Sequence, residues 1–262
     1  MTTSDHQYFE GDYPLVIPHR GGLDLVPENT LEALEYCYKN KFTHFETDLR
    51  MSLDGVIFLH HDETLERTTN FKGKVKDYSW EDLLKINAGQ QFYDQKKIKQ
   101  KKTVFVSLQD ALSRFSDMKF NLDLKEEGMS KKVIEIILDC KASERTLVSS
   151  FSPKRLQQFQ TLNKYNIATS GSIKENLQGI INSRLLTLWE LKIEALQIPI
   201  KWKGVKVLTK RLVDYAHSKN MQVHVWTIND PLSAKDCFLL GCDGIMTDRP
   251  LEMRELVREM YG

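Results

Sequence analysis

Short runs of apolar and β-branched residues alternate with longer helical patterns along most of this 262-residue chain. The runs predict strands at residues 15–19, 44–49, 120–125, 146–149, 167–170, 195–198, 222–227 and 244–247, and the patterns between them predict helices. Strands that alternate with helices are typical of parallel sheets, because each helix returns the chain to the same edge. About eight such units predict a closed (β/α)8 barrel or a doubly wound sheet. The length fits one barrel-sized domain or two small ones.

One long stretch, residues 62–103, interrupts the alternation. It lies between the second strand and a predicted helix at 108–115, and it is too long for an ordinary connection between a strand and a helix. We therefore expect a small insertion after the second strand. Its lysine-rich segment, residues 96–102, is interpreted as a solvated loop, with a phosphate-facing or membrane-facing patch as the alternative.

Composition argues against several classes of protein. Lys and Arg (37) nearly balance Asp and Glu (36), so the net charge gives no reason to expect a nucleic-acid partner. The four cysteines form no CxxC pair and show no zinc-ligand spacing. No signal peptide is recognisable, and no run reaches the roughly 20 apolar residues of a membrane span. We expect a cytoplasmic protein, for which loose contact with a membrane surface and the oligomeric state stay open.

Two predicted strands carry charged residues along one face. Side chains alternate along a strand, so Glu46 and Asp48 share one face of their strand, as Asp123 and Lys125 do on theirs. The opposite faces are apolar and can pack under helices, so the charged faces must point into the barrel. Buried carboxylates are costly unless they are compensated. Their hard oxygens suit Mg²⁺, Ca²⁺ or Mn²⁺, and the alternative is an ion-pair network in which Lys125 or Arg50 neutralises them.

Histidines end two of the predicted β segments. His19 ends the first strand and is followed by Arg20, whereas His60 and His61 end a β stretch at residues 56–61. Active sites of such barrels gather at the carboxyl ends of the strands, where these side chains can meet the carboxylates. Imidazole titrates near neutrality, which suits an acid–base pair, and His60 is the substitute if His61 fails. The other histidines are interpreted as structural (His6, His217) or are left without a role (His44, His224).

An ordered series of short motifs extends from about residue 15 to residue 250. The motifs include His19-Arg20-Gly21, Pro27-Glu28-Asn29-Thr30, Glu46-x-Asp48, His61-Asp62, Asn121-x-Asp123-x-Lys125 and Gly244-Ile245-x-Thr247-Asp248. In order and spacing the series resembles the glycerophosphodiester phosphodiesterase family. The resemblance implies a (β/α)8 barrel with a small insertion after the second strand, here residues 62–103. It also implies hydrolysis of glycerophosphodiesters to glycerol 3-phosphate and an alcohol.

The same resemblance implies roles for individual residues around one divalent cation. The implied roles are metal ligands (Glu46, Asp48, Asp123), general base and acid in either order (His19, His61), phosphate binding (Arg20, Lys125) and a pocket wall (Trp226). Without the resemblance, Trp226 is equally well interpreted as filling the barrel mouth.

One position departs from the family pattern. The third ligand is usually Glu in an N-x-E-x-K motif, whereas this chain has Asp123, which is one methylene shorter but still a hard carboxylate. The N-x-D-x-K form resembles a branch that acts on lysophospholipids as a lysophospholipase D. Two further hypotheses are a phosphatidylinositol-type phospholipase C and an inactive barrel that serves as a binding protein. The carboxylate trio argues against the first, and the intact His19 and His61 argue against the second.

Overall fold

The computed structural model describes residues 6–185 and 189–262. The strands in this part of the chain are β1 (Leu15–Pro18), β2 (His44–Met51), β3 (Ile57–Leu59), β4 (Lys119–Leu124), β5 (Thr146–Ser149), β6 (Ala168–Thr169), β7 (Ala195–Ile198), β8 (Lys201–Trp202), β9 (Val205–Lys206), β10 (Gln222–Val225) and β11 (Gly244–Thr247). The α-helices are α1 (Leu31–Lys39), α2 (Trp80–Lys85), α3 (Gln90–Lys96), α4 (Leu108–Arg114), α5 (Ser130–Asp139), α6 (Pro153–Leu162), α7 (Ile173–Leu185), α8 (Lys210–Ser218), α9 (Pro231–Leu239) and α10 (Pro250–Tyr261). None of these helices is long and apolar enough to cross a membrane.

Eight of these strands form a ring of parallel neighbours. One sheet has the order β1-β11-β10-β7, and the other has the order β2-β4-β5-β6, with β3 added antiparallel to the outer edge of β2. Parallel bridges from His19 to Glu46 and from Ser170 to Ala195 join the two sheets. The architecture is therefore the predicted (β/α)8 barrel and not a doubly wound sheet.

The register of β2 with β4 explains why charged residues face the barrel interior. Asp48 lies opposite Asp123, and Glu46 lies opposite Asn121 one level lower. All four side chains are buried. The alternate residues of both strands pack outwards into the core beneath the helices: Phe45, Leu49, Phe120, Leu122 and Leu124. The alternation of apolar and charged residues thus separates the core from the interior of the barrel.

The amino end of the barrel is closed by a short 3-10 helix, Gln7–Phe9. Tyr8 and Phe9 from this turn form one apolar cluster with barrel residues Leu147, Ala168 and Ala195. The ring centroid of Tyr8 lies 5.1 Å from that of His44 and 6.4 Å from that of His224. We refer to this end, where His44 and His224 are buried, as the floor of the barrel, and to the opposite end as the mouth.

The insertion after the second strand is folded. Residues 62–103 contain α2 and α3 and a 3-10 turn at Val75–Asp77. Five apolar side chains of this stretch form a separate cluster with Phe58 and Phe105, which flank it. The five are Leu65, Val75, Leu83, Ile86 and Ala88. The β stretch that precedes the insertion is the short antiparallel strand β3, which lies outside the barrel ring.

Helix α7 and the hairpin β8–β9 are not predicted by the sequence patterns. Helix α7 buries Gly179, Asn182 and Ser183, whereas Ile173 and Leu177 are exposed. An amphipathic helix normally buries its apolar face. In α7 small and polar residues are buried and these two apolar residues are exposed, so the usual pattern does not identify this helix.

Candidate active site

The carboxyl ends of the barrel strands open into a cavity of about 720 Å³. This volume lies within the usual range for small-molecule sites. All eight site residues expected from the sequence line this cavity: His19, Arg20, Glu46, Asp48, His61, Asp123, Lys125 and Trp226. The structure therefore brings together every residue of the predicted set, and the roles assigned to them stay predictions.

The turn after β1 positions the first of these groups. The backbone N–H of Arg20 donates to the carbonyl oxygen of Glu46 at 3.0 Å and to its carboxylate Oε2 at 3.1 Å. Gly21 follows with φ +96°, and a Cβ atom there would lie 2.5 Å from the Cβ of Ala33. Only glycine fits both the backbone angle and the close approach to α1. The His-Arg-Gly sequence is thereby explained by local geometry.

Asp48 lies between two cationic side chains. Its Oδ2 is 3.0 Å from Nε of Arg20, and its Oδ1 is 2.9 Å from Nζ of Lys125. Nζ of Lys125 is also 2.5 Å from Oδ2 of Asp123. Burial alone would raise the pKa of Asp48, but Arg20 and Lys125 hold it well below its ordinary value. Burial raises the pKa of Asp123, which Lys125 only partly offsets.

The ion-pair alternative is thus present in part, through Lys125. Arg50 does not take part, since its guanidinium pairs with Glu126 at 3.2 Å and donates to the backbone carbonyl of His61. Glu46 receives less compensation: burial and the adjacent Asp48 raise its pKa well above the ordinary value.

The donors at the mouth fit a hard divalent cation. No three His, Cys, Asp or Glu side chains of the described residues form a ready-made metal site. However, Oδ1 of Asp123 and Oδ1 of Asn121 are buried and have no hydrogen-bond partner among these residues. Unpartnered buried oxygens are costly, and carboxylate and amide oxygens are the ligands that Mg²⁺ and Ca²⁺ prefer. Asp123 and Asn121 therefore offer oxygens to such an ion, and Asp48 and Glu46, which lie opposite them on β2, can complete the set.

Each histidine of the mouth is held by an aspartate at its Nδ1 atom. Nδ1 of His19 lies 2.7 Å from Oδ1 of Asp248, whose Oδ2 accepts a hydrogen bond from Asn229 at 2.6 Å. Nδ1 of His61 lies 2.7 Å from Oδ1 of Asp62. Burial lowers the pKa of His61. Burial also lowers the pKa of His19, but Asp248 and Glu46 together outweigh it, so the pKa of His19 is raised. A carboxylate that accepts from Nδ1–H orients the ring and leaves Nε2 for chemistry.

A chain of ion pairs connects the insertion to the site. Arg67 donates to Asp62 and to Glu28, each at 2.5 Å, and Glu28 accepts from Arg20 at 3.1 Å. The side chain of Asn29 donates to Asp48 at 3.2 Å.

The residues before α1 contact the site as well as the helix. The helix begins at Leu31 with Thr30 as its N-cap, whereas Glu28 and Asn29 point into the site. A sequence signal existed: two polar residues precede the cap in the loop that follows the first strand.

The structure also distinguishes between the two adjacent histidines. His60 is buried away from the cavity, where its Nε2 lies 3.1 Å from the carbonyl oxygen of Thr64. Its ring packs against Phe58 and Phe105 in the core of the insertion. His61 is therefore the one that reaches the cavity.

The far side of the cavity is apolar, and Trp226 is the one residue of this wall that the sequence predicted. Trp226 lines the cavity, and its ring centroid lies 5.3 Å from that of Phe151. The wall continues along one face of α7 and onto the hairpin β8–β9, with Ile173, Leu177, Ile180, Trp202 and Val205. A signal for it was present in residues 201–207, where apolar residues alternate with lysines.

Positive groups that can hold an anion lie here beside two imidazoles able to exchange protons. At the mouth of a (β/α)8 barrel, these groups can stabilise charge on a phosphate and transfer protons, as the hydrolysis of a phosphoric diester requires. Residues 19–252 match the model of the glycerophosphoryl diester phosphodiesterase family. The chain belongs to this family, as the sequence motifs predicted.

Individual relatives agree with this assignment over nearly the whole chain. The chain is 30% identical to a glycerophosphodiester phosphodiesterase of Bacillus altitudinis, over 94% of this chain and 98% of the relative. A glycerophosphoryl diester phosphodiesterase domain from Mycobacterium tuberculosis has the same fold, with a TM-score of 0.79 at 19% identity over 93% of this chain and 99% of the domain. An Oleispira antarctica phosphodiesterase in complex with the product sn-glycerol-3-phosphate superposes with a TM-score of 0.75 at 24% identity, over 94% and 97% of the two chains.

Proposed function

We propose that this protein hydrolyses glycerophosphodiesters to glycerol 3-phosphate and an alcohol, and that it requires one divalent cation. The proposal rests on the arrangement of the mouth. Two histidines that are held by aspartates and two cationic side chains, Arg20 and Lys125, line one cavity there. Cleavage of a phosphodiester needs charge stabilisation on the phosphate and two proton transfers, and these groups can supply both. Family membership and the product bound to the Oleispira antarctica relative support the same substrate class.

The cation would be held by Glu46, Asp48 and Asp123. When bound, it would withdraw charge from the phosphate and lower the pKa of a nearby hydroxyl. The donor set suits Mg²⁺, Ca²⁺ and Mn²⁺ alike. Lys125, which now bridges Asp48 and Asp123, would then be available for the phosphate together with Arg20.

The protein side chains would carry out the proton transfers. The free 2-hydroxyl of the glycerol lies next to the phosphorus and would attack it, while one of His19 and His61 takes the hydroxyl proton at Nε2. The other histidine would donate a proton to the departing alcohol oxygen as its bond to phosphorus breaks. Water would then open the resulting cyclic phosphate, with the two histidines exchanging roles. Intramolecular attack gains a large effective molarity, worth about 7–11 kcal/mol in well-oriented cases.

Substrates that differ at one hydroxyl test this proposal. We expect glycerol 3-phosphate from glycerophosphocholine and glycerophosphoethanolamine, and a cyclic glycerophosphate visible by ³¹P NMR under slow turnover. The 2-deoxy analogue is the matched control and should be turned over at least roughly 10⁴-fold more slowly. Efficient hydrolysis of that analogue would contradict attack by the 2-hydroxyl. Failure to release glycerol 3-phosphate from either natural substrate with all three cations supplied would contradict the function.

A second candidate, lysophospholipase D activity, is favoured by the apolar wall of the cavity. Ile173, Leu177 and Val205 would accommodate an acyl chain beside the charged centre, and a 1-acyl lysophospholipid keeps the 2-hydroxyl that the mechanism uses. Comparing kcat/KM for 1-acyl lysophosphatidylcholine with that for glycerophosphocholine measures the preference. A strong preference for the lysolipid would support this branch, whereas a preference for the water-soluble substrate would contradict it.

A further inference from the structure

Four large apolar side chains at the edge of the cavity are exposed. They are Trp202 (48%) and Val205 (61%) on the hairpin β8–β9, and Ile173 (52%) and Leu177 (54%) on α7. All four also line the cavity, so one exposed apolar patch surrounds part of its entrance. Exposed apolar patches of this kind with a polar rim are typical of interaction sites. We refer to these residues together with Lys201, Lys203 and Lys206 as the hairpin surface.

The charge of the hairpin surface is strongly positive. Residues 198–211 contain Lys201, Lys203, Lys206, Lys210 and Arg211 and no acidic residue. In the described part of the chain, no ion pair engages the three hairpin lysines, whereas the neighbouring Lys210 pairs with Asp214. The positive charge of the hairpin is therefore available to an external anionic partner.

We propose that the hairpin surface docks onto an anionic lipid bilayer and turns the cavity entrance toward it. Lysines near an anionic membrane are attracted to its surface, and tryptophan is enriched at the interface between headgroups and acyl chains. Trp202 lies between Lys201 and Lys203, so one short hairpin presents both groups together. An amphiphilic substrate would pass from the bilayer along Ile173 and Leu177 into the cavity. This last consequence rests on the proposed function, whereas the docking itself does not.

The other basic segment of the chain is a weaker candidate. Residues 96–102 carry several lysines and the exposed Ile98. One of these lysines, Lys101, pairs with Glu32 at 3.6 Å, and the segment contains no aromatic residue. It also lies outside the cavity that holds the histidines. It therefore serves as a matched control for the hairpin surface.

Co-sedimentation with vesicles tests the docking on the intact protein. One vesicle preparation contains phosphatidylcholine with about one third phosphatidylglycerol, and the other contains phosphatidylcholine alone. We expect binding to the anionic vesicles that is at least tenfold stronger than to the neutral ones, and that weakens with salt. The triple variant K201E/K203E/K206E should bind at least roughly 100-fold more weakly, since loss of each lysine removes about a fivefold factor near such a surface and each glutamate adds repulsion.

Two further variants test whether the location of the positive charge matters and whether Trp202 contributes. The control K97E/K99E/K102E changes the net charge equally, and we expect its binding to stay within about threefold of wild type. W202S leaves the charge unchanged and should lower binding roughly tenfold through the loss of interfacial burial. Each variant is first shown to melt at the wild-type temperature.

Several outcomes would overturn the docking. They are absence of wild-type binding to anionic vesicles, equal loss in the two triple variants, and wild-type binding by W202S. Glycerophosphocholine turnover, measured on the same wild-type preparation, keeps the two proposals separate. Turnover without vesicle binding contradicts the docking alone, and vesicle binding without turnover supports the docking and contradicts the proposed function.

Discussion

Two histidines at the mouth of the barrel, His19 and His61, and two at its floor, His44 and His224, lie in different electrostatic surroundings. At the mouth, Nδ1 of His19 and Nδ1 of His61 each lie 2.7 Å from an aspartate oxygen. At the floor, the partners are neutral: Nε2 of His44 lies 2.8 Å from the carbonyl oxygen of Tyr8, and Nε2 of His224 lies 2.9 Å from the side-chain oxygen of Gln222. The same residue type is therefore paired with carboxylates at one end, where we propose acid–base chemistry, and with neutral partners at the other.

Burial without a carboxylate keeps the floor histidines neutral. It lowers the pKa of His44 to about 4 and that of His224 to about 3. His44 shares a strand face with Glu46 and Asp48, but it lies at the start of β2, where the floor is. The level of a residue along a barrel strand, and not only its face, therefore decides whether the residue can take part in chemistry.

The largest expected contrast is in turnover. Replacing His19 or His61 with Ala should each lower kcat by roughly 10²–10⁴-fold, the usual contribution of general acid–base catalysis. Fold and metal content should survive, because neither side chain is an expected ligand. The matched floor variant, His44→Gln, should keep kcat within about threefold at pH 7. Near-normal kcat for His61→Ala would show that the acid–base pair is misassigned.

The next contrast is in stability at acid pH. The unfolded chain protonates its histidines near pH 6.5, whereas folded His44 and His224 stay neutral until the pH falls to about 4 and about 3. The unfolded state binds more protons in this range, so the free energy of unfolding decreases as the pH falls below about 6.5. Each histidine should contribute a loss of roughly 2–3 kcal/mol between about pH 7 and about pH 4.5.

Denaturant unfolding of wild type and of the double variant H44Q/H224Q at both pH values measures this effect. Glutamine keeps a hydrogen-bond donor but does not titrate, so the variant should lose less stability on acidification than wild type does. An identical loss in the two proteins would show that the floor histidines are not held neutral.

The smallest contrast concerns the aspartates that hold the mouth histidines. Asp248→Asn and Asp62→Asn should each lower kcat by roughly 10–100-fold, less than loss of the imidazole itself. Because Asp248 raises the pKa of His19, its replacement should lower that pKa. The corresponding limb of the pH profile of kcat/KM should then move to lower pH.

The matched control is Asp243, which lies 2.8 Å from Nε2 of His217 outside the cavity. Asp243→Asn should leave both kcat and the pH profile unchanged. If Asp248→Asn altered kcat without moving the profile, its role would be structural and not that of orienting His19.

The charged centre could be predicted because strand geometry determines it. Alternation along β2 and β4 puts Glu46, Asp48 and Asp123 on inward faces, and parallel pairing brings the two strands into register. The aspartate partner of His19 could not be predicted in this way, since Asp248 lies 229 positions further along the chain. Such a contact depends on the closure of the whole barrel.

The part of the cavity wall that α7 and the hairpin β8–β9 form could not be predicted, for a different physical reason. Pattern reasoning assumes that apolar residues identify the core. Helix α7 instead exposes Ile173 and Leu177 and packs Gly179 against the barrel, near Leu196. Ile173 and Leu177 thus line the cavity and do not pack in the core.

Metal-assisted hydrolysis of a glycerophosphodiester at the mouth is the function that we propose. It is tested most directly by the release of glycerol 3-phosphate from glycerophosphocholine by protein treated with EDTA and then freed of chelator. We predict that turnover is abolished in the metal-free protein and restored by Mg²⁺, Ca²⁺ or Mn²⁺, because Oδ1 of Asp123 is buried without a hydrogen-bond partner among the described residues and Lys125 only partly offsets the burial of this carboxylate. Full turnover by protein shown to be metal-free would contradict the account.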